Sequence, residues 1–180
     1  MIYLNDLFWI LVIIFAIIGL FRGAAKELLV ALSVLVSLFF NTLISTSTFI
    51  QGVLAPIANG MLLFALQNLI LFFLILAGYQ TPLRGKLPLK DRLHTNPTIE
   101  KILGGIVGGL NGFLIFGTFW LYMHNANYPI KFIIPPQNAG PDVLAKTMEL
   151  IKMFPAYWLK PNTLYFVIGI AITIVLVLYV

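Results

Sequence analysis

Residues 19–27 read GLFRGAAKE, and the fold depends on whether the chain bends there. Apolar runs flank this stretch, from about Leu4 to Phe21 and from about Leu28 to Ile50, and Asp6 is their only other ionisable side chain. One helix of that combined length would reach roughly 70 Å at about 1.5 Å per residue, far beyond a hydrocarbon core of about 30 Å. The chain must therefore reverse between the runs, and Gly19, Arg22 and Gly23 are where it can turn.

The rest of the chain repeats this pattern. Of 180 residues, 61% are hydrophobic and only 9% charged, against about 25% charged in an ordinary soluble domain, and the mean hydropathy is +1.01. Ser45 to Thr48, Gly52 and Pro56 form an uncharged connection, and a third apolar run follows from about Ile57 to Tyr79. Residues 80–101, QTPLRGKLPLKDRLHTNPTIEK, are a basic loop broken by Pro82, Pro88 and Pro97. A fourth helix is expected from about Ile99 to His124, capped by Thr98 or Asn96, and a last apolar run extends from Thr163 to Val180. The expected architecture is one all-α polytopic membrane domain over residues 1–180, with spans at about 4–21, 28–50, 57–79, 99–124 and 163–180.

Between the last two spans, PDVLAKTMELIKMFP places Val143, Leu144, Met148, Leu150, Ile151 and Phe154 on one helical face, with Asp142, Lys146, Glu149 and Lys152 on the other. Pro141 suits a first turn and Pro155 ends the helix, so residues 141–154 are expected as a short amphipathic helix in the membrane interface. Tyr157, Trp158 and Lys160 are anchors at headgroup level.

The net charge of +5 sits mostly in loops beside spans, where it sets orientation, so nucleic acid is not an expected partner. Arg22 and Lys26 fall on the same side as the basic loop if the spans alternate, which makes that side cytoplasmic, the N-terminus external and the C-terminus internal. The extreme N-terminus carries no positive region or cleavage site, so its apolar run reads as a mature helix. There is no cysteine, hence no disulfide or thiolate site.

Two stretches carry a resemblance. FRGAAKELLVALSVLVS (21–37) and IEKILGGIVGGLNGFLIFGTFWL (99–121) resemble the two signature regions of the colicin V production protein (CvpA) family of bacterial inner-membrane proteins, over roughly residues 4–155. Arg22, Gly23, Lys26 and Glu27 fit the first region, and Leu103, Gly104, Gly108 and Gly112 the second. The family usually has Arg where this chain has Asn111, and the fifth span is additional to its four-helix plan. The resemblance implies a role in bacteriocin production or export and in envelope physiology, without catalytic chemistry.

The residues themselves suggest specific contacts. Arg22, Lys26 and Glu27 read as a cytoplasmic turn in the headgroups, or as a contact to anionic lipid or a partner's carboxylate. Gly104, Gly108 and Gly112 recur every four residues beside Gly105 and Gly109, a face that lets another backbone approach: a helix of the same chain, a second copy or a foreign subunit. The amides of Gln67, Asn68 and Asn111, with Asn59 nearer an end, suit interhelical hydrogen bonds. They also leave open a solute path, although ion pathways commonly display an ionisable residue near a helix centre. His94 and His124 have no companions at ligand spacing, and no nucleophile, acid and base can be assembled, so neither a cofactor nor an enzyme activity is expected. The leading reading is a non-enzymatic membrane protein acting through protein or lipid contacts. The alternatives are an accessory subunit of a larger respiratory or photosynthetic complex and a small channel or transporter.

Overall fold

A single residue, Gly23, separates the first two helices, α1 (Leu4–Arg22) and α2 (Ala24–Thr46). Its φ of 86° lies in the left-handed region that glycine adopts without strain. Gly23 N–H closes α1 on the Gly19 carbonyl at 2.9 Å, and the Gly23 carbonyl accepts from Glu27 N–H at 3.3 Å to open α2. The expected turn is thus narrower than anticipated: Gly19 and Arg22 remain helical, and α2 starts four residues before the expected Leu28.

The computed structural model describes residues 4–48, 52, 60–80, 96–130 and 133–179, with side chains described as far as residue 173. Beyond the first pair it contains α3 (Gly60–Gln80), α4 (Pro97–Asn125), a 3-10 turn at Pro136–Asn138, α5 (Pro141–Met153), α6 (Pro155–Trp158) and α7 (Pro161–Tyr179). Among the described residues, α1, α2, α3 and α4 are each long and apolar enough to cross a membrane. The 19-residue α7 occupies the place of the expected fifth span. The basic loop with Arg84, Lys86, Lys90, Asp91, Arg92 and His94, and most of the Gly52–Asn59 connection, lie outside the described residues.

The long α4 organises the bundle. Asn96 caps it, accepting from Thr98 N–H at 3.0 Å, and Pro97 fills the first position, where no N–H is needed. Helix α1 packs along α4 more extensively than any other pair does, and it runs antiparallel: Gly23 lies beside Gly104, while Val12 and Phe15 lie beside Gly112. Helix α2 runs parallel to α4, with Glu27 on Asn111 near one end and Asn41 within hydrogen-bonding reach of the Tyr122 hydroxyl near the other. Direction therefore reverses at Gly23. Helix α3 returns antiparallel to α2, since Tyr79 meets Glu27 and Asn41 donates to the Gln67 carbonyl at 3.2 Å.

Three buried clusters hold these helices. Val30, Val34, Leu71, Ile75 and Ile115 join α2, α3 and α4. At the end away from the hinge, Phe8, Trp120, Leu121 and Met123 enclose Phe154, whose ring lies 5.2 Å from Phe8 and 5.7 Å from Phe113. Leu38 packs with Leu164 and Ile168 to seat α7 on α2. The amphipathic α5 buries Thr147, Leu150 and Ile151, and Thr147 donates to Asn5 of α1 at 3.2 Å. Its expected apolar face is only partly the buried one: Val143, Leu144 and Met148 are half-buried, and Thr147 takes a place in the contact.

Candidate functional site: an enclosed ion pair at the hinge

Glu27 is the fourth residue of α2, one turn beyond Gly23, and it is 0% exposed. An isolated carboxylate removed from water carries a desolvation cost of many kcal/mol, so its partners decide whether the arrangement is stable. Arg22, the last residue of α1, supplies the charge: its Nε lies 3.0 Å from Glu27 Oε1. The sharp hinge is what brings them together, because in a continuous helix residues five apart would point about 140° away from one another. Asn111, at about the midpoint of the 29-residue α4, donates its Nδ2 hydrogens to Glu27 Oε2 at 2.8 Å and to the Glu27 carbonyl at 2.9 Å.

Tyr79 completes the enclosure. Its hydroxyl donates to Glu27 Oε2 at 3.5 Å, and its backbone carbonyl accepts from Arg22 Nη2 at 3.4 Å. The Arg22 guanidinium stands 4.3 Å from the centre of its ring, a cation–π arrangement worth about 0.5–2 kcal/mol depending on desolvation. The junction therefore balances one carboxylate with one guanidinium and supplies further donors from neutral groups. It ties α1, α2, α3 and α4 at one end of the bundle.

The sequence reading grouped Arg22, Lys26 and Glu27 as a lipid or partner contact, and the structure divides them. Lys26 is exposed. Glu27 is enclosed, since one residue turns a helix by about 100° and carries it to the inner face; its side chain has no surface left for a lipid headgroup or a foreign cation. Arg22 lies between these extremes, its side chain 28% exposed and its guanidinium turned inward.

The glycine row of α4 is filled from within the chain. A Cβ at Gly104 would strike the Gly19 carbonyl oxygen; one at Gly108 would lie 2.5 Å from the Phe15 carbonyl oxygen, and one at Gly112 would lie 2.8 Å from Phe15 Cβ. Helix α1 occupies this face, so of the three alternatives for Gly104, Gly108 and Gly112 a helix of the same chain is the one observed, and a partner or second copy does not dock through this row. The second row is less uniform: Gly105 is pressed by Leu20, whereas a Cβ at Gly109 would make an ordinary contact with Ala16 at 3.4 Å. Asn111 faces away from α1, toward Glu27.

Of the other amides, Asn68 donates to the Phe64 carbonyl of its own helix at 2.7 Å instead of across helices, and Gln67 contributes its backbone carbonyl to Asn41. Asn59 lies outside the described residues. At the far end of α4, the Tyr128 hydroxyl is 3.2 Å from His124 Nδ1 and accepts from Trp120 Nε1 at 3.4 Å. Burial pushes the Tyr128 phenol above its usual range, so its proton stays on oxygen at ordinary pH. Among the described residues, no three His, Asp or Glu side chains gather to hold a metal.

Sequence reasoning missed Tyr79, Ser37, Asn41 and Thr118 as interior polar groups. A signal for the α2 residues was present: Glu27, Val30, Val34, Ser37 and Asn41 alternate by three and four positions, the spacing of one buried helix face. The fold and this junction define an all-α polytopic membrane protein locked around an enclosed ion pair. Compared with protein-family models, curated proteins and solved structures, the chain matches none.

Proposed function

We propose that this is a non-enzymatic membrane protein of the colicin V production type, serving bacteriocin production or export, or envelope maintenance, through contacts with other membrane proteins or lipid. The observation that carries this reading is that the two stretches resembling that family's signatures form one structural unit. Glu27 of the first is bonded to Asn111 of the second, 84 residues away in sequence, and Gly23 of the first lies against Gly104 of the second. The Arg usual in that family at the Asn111 position would set two cations around Glu27; here the neutral amide leaves the charge of Arg22 matched one to one.

On this reading the hinge end is cytoplasmic, in a bacterial inner membrane. Arg22, Lys26 and Lys101 gather there, which supports the assignment by the excess of cations on cytoplasmic ends. The test is genetic complementation in a strain lacking the protein, scored for bacteriocin release and envelope-stress survival. The native chain restores both, and a chain with residues 21–37 and 99–121 scrambled at constant hydropathy restores neither. Full restoration by the scrambled chain would end the proposal.

A further inference from the structure

At the end of the bundle away from the hinge, the chain leaves α4 in a conformation that its residues do not favour. Asn127 and Tyr128 both lie in the left-handed region, at φ 56° and 55°. Asparagine tolerates this geometry, but a bulky tyrosine rarely adopts it. Backbone bonds tie the turn to α4, from Asn127 N–H to the His124 carbonyl at 3.0 Å and from Tyr128 N–H to the Met123 carbonyl at 2.8 Å. The turn folds the Tyr128 ring back into the buried cluster that also receives Leu150, Ile151 and Phe154 from the end of α5. What holds Tyr128 in place therefore also helps to seat α5.

The Tyr128 hydroxyl makes two side-chain bonds, and they run in one direction. Trp120 Nε1 is a donor only, so the phenol oxygen accepts from it at 3.4 Å. The phenol keeps its own proton, and among the described residues the acceptor within reach of that proton is His124 Nδ1, at 3.2 Å. A neutral His124 thus carries its hydrogen on Nε2 and presents a lone pair at Nδ1. Protonation turns Nδ1 into a donor. Two donors then face one phenol oxygen, and the hydroxyl proton of the buried Tyr128 loses its acceptor. His124 is half-buried, so protons reach it from water. No carboxylate takes up the new charge: Asp6 of α1, Asp142 and Glu149 of α5, and Lys146, Lys152 and Lys160 are all exposed, and among the described residues none of them pairs with His124. The facing ends of α2 and α3 carry no charged side chain, and Lys131 lies outside the described residues.

We infer that Trp120, Tyr128 and His124 form a pH-sensitive latch: neutral His124 holds Tyr128 in its strained turn and so seats α5, and protonation of His124 loosens both. The bistable element is the Asn127–Tyr128 turn, whose backbone relaxes once the ring is no longer held. The latch goes beyond the contact role proposed above and depends neither on it nor on which side of the membrane this end faces.

The test is hydrogen–deuterium exchange of the purified full-length chain in detergent at about pH 7.5 and about pH 5.5, on either side of the ordinary imidazole pKa, with each amide's rate divided by its intrinsic rate at that pH. Protection over residues 126–130 and 141–154 is expected to fall about five-fold at the acid value, the equivalent of one hydrogen bond. Protection from Gly104 to Thr118 in the middle of α4 should stay constant, which shows that the bundle is intact. His124→Gln, whose amide oxygen still accepts from the phenol but does not titrate, should abolish the pH dependence. Tyr128→Phe should give the lower protection at both values. Equal protection of the native chain at both values overturns the inference. A fall that persists in His124→Gln or in Tyr128→Phe assigns it to other groups and overturns it equally; if one variant also loses protection in α4, the other decides. Because the readout is on isolated protein, failure here is distinguishable from failure of genetic complementation.

Discussion

Replacing Asn111 by Leu removes a group of similar size that makes two short bonds to one residue. The bond to Glu27 Oε2, at 2.8 Å, is to a charged acceptor, and such bonds contribute about 1.5–3 kcal/mol; the bond to the Glu27 carbonyl, at 2.9 Å, is of the neutral kind worth about 1 kcal/mol. Because Glu27 is fully enclosed, water cannot replace the lost donor without opening the bundle. The expected loss is therefore about 2.5–4 kcal/mol, or roughly 5–15 °C in melting temperature for a chain of this length. Thermal unfolding in detergent, followed by tryptophan fluorescence, measures it. The decisive form is a double-mutant cycle with Glu27→Gln: removing the negative charge should reduce the cost of Asn111→Leu by at least about 1 kcal/mol. If Asn111→Leu melts within a degree or two of the native chain, or costs the same with Gln at position 27, Asn111 does not act through the carboxylate and the account of the junction is wrong.

The glycine contacts predict a contrast within α4. Gly104→Ala should destabilise by about 1–3 kcal/mol by overpacking against Gly19, whereas Gly109→Ala, with its Cβ at ordinary distance from Ala16, should be neutral or slightly stabilising; equal melting of the two variants would contradict the seam. Phe154→Ala should cost about 3–5 kcal/mol and speed proteolysis within residues 141–158, since this 0% exposed ring joins the end of α5 to Phe8, Phe113 and Trp120; unchanged cleavage would mean that α5 is held some other way. Sidedness is readable because the chain lacks cysteine. A membrane-impermeant maleimide applied to intact cells should label Lys152→Cys and spare Lys26→Cys, and the reverse pattern would invert the topology.

Where the long helices run along the chain was largely legible from residue types, to within a few residues at their ends. The Gly19–Gly23 stretch marked the reversal and Asn96 was one of two expected caps for α4, because turns and caps depend on a few adjacent residues; Pro97, expected to break helix, is instead the first residue of α4, two before the expected Ile99. Span lengths followed from uninterrupted apolar runs. The glycine repeat announced that some backbone would approach α4, but a smooth face is equally suited to any helix, and only the packed bundle selects α1 as its neighbour.

Glu27 marks the boundary most clearly. In the linear chain it is one of three charges around a turn, and its neighbour Lys26 is exposed; the three-and-four spacing puts Glu27 on the face of Val30 and Val34, but it does not say what partners would make a carboxylate stable there. Its burial is tolerable only because Arg22 folds back across the hinge, Tyr79 arrives from 52 residues away and Asn111 from 84. Local chemistry thus determined that the chain is helical, membrane-spanning and bent within the Gly19–Gly23 stretch, and the structure narrowed the bend to Gly23. Which polar groups are sealed inside was decided by the tertiary structure, because the energy of a charge depends on its surroundings after the helices have packed.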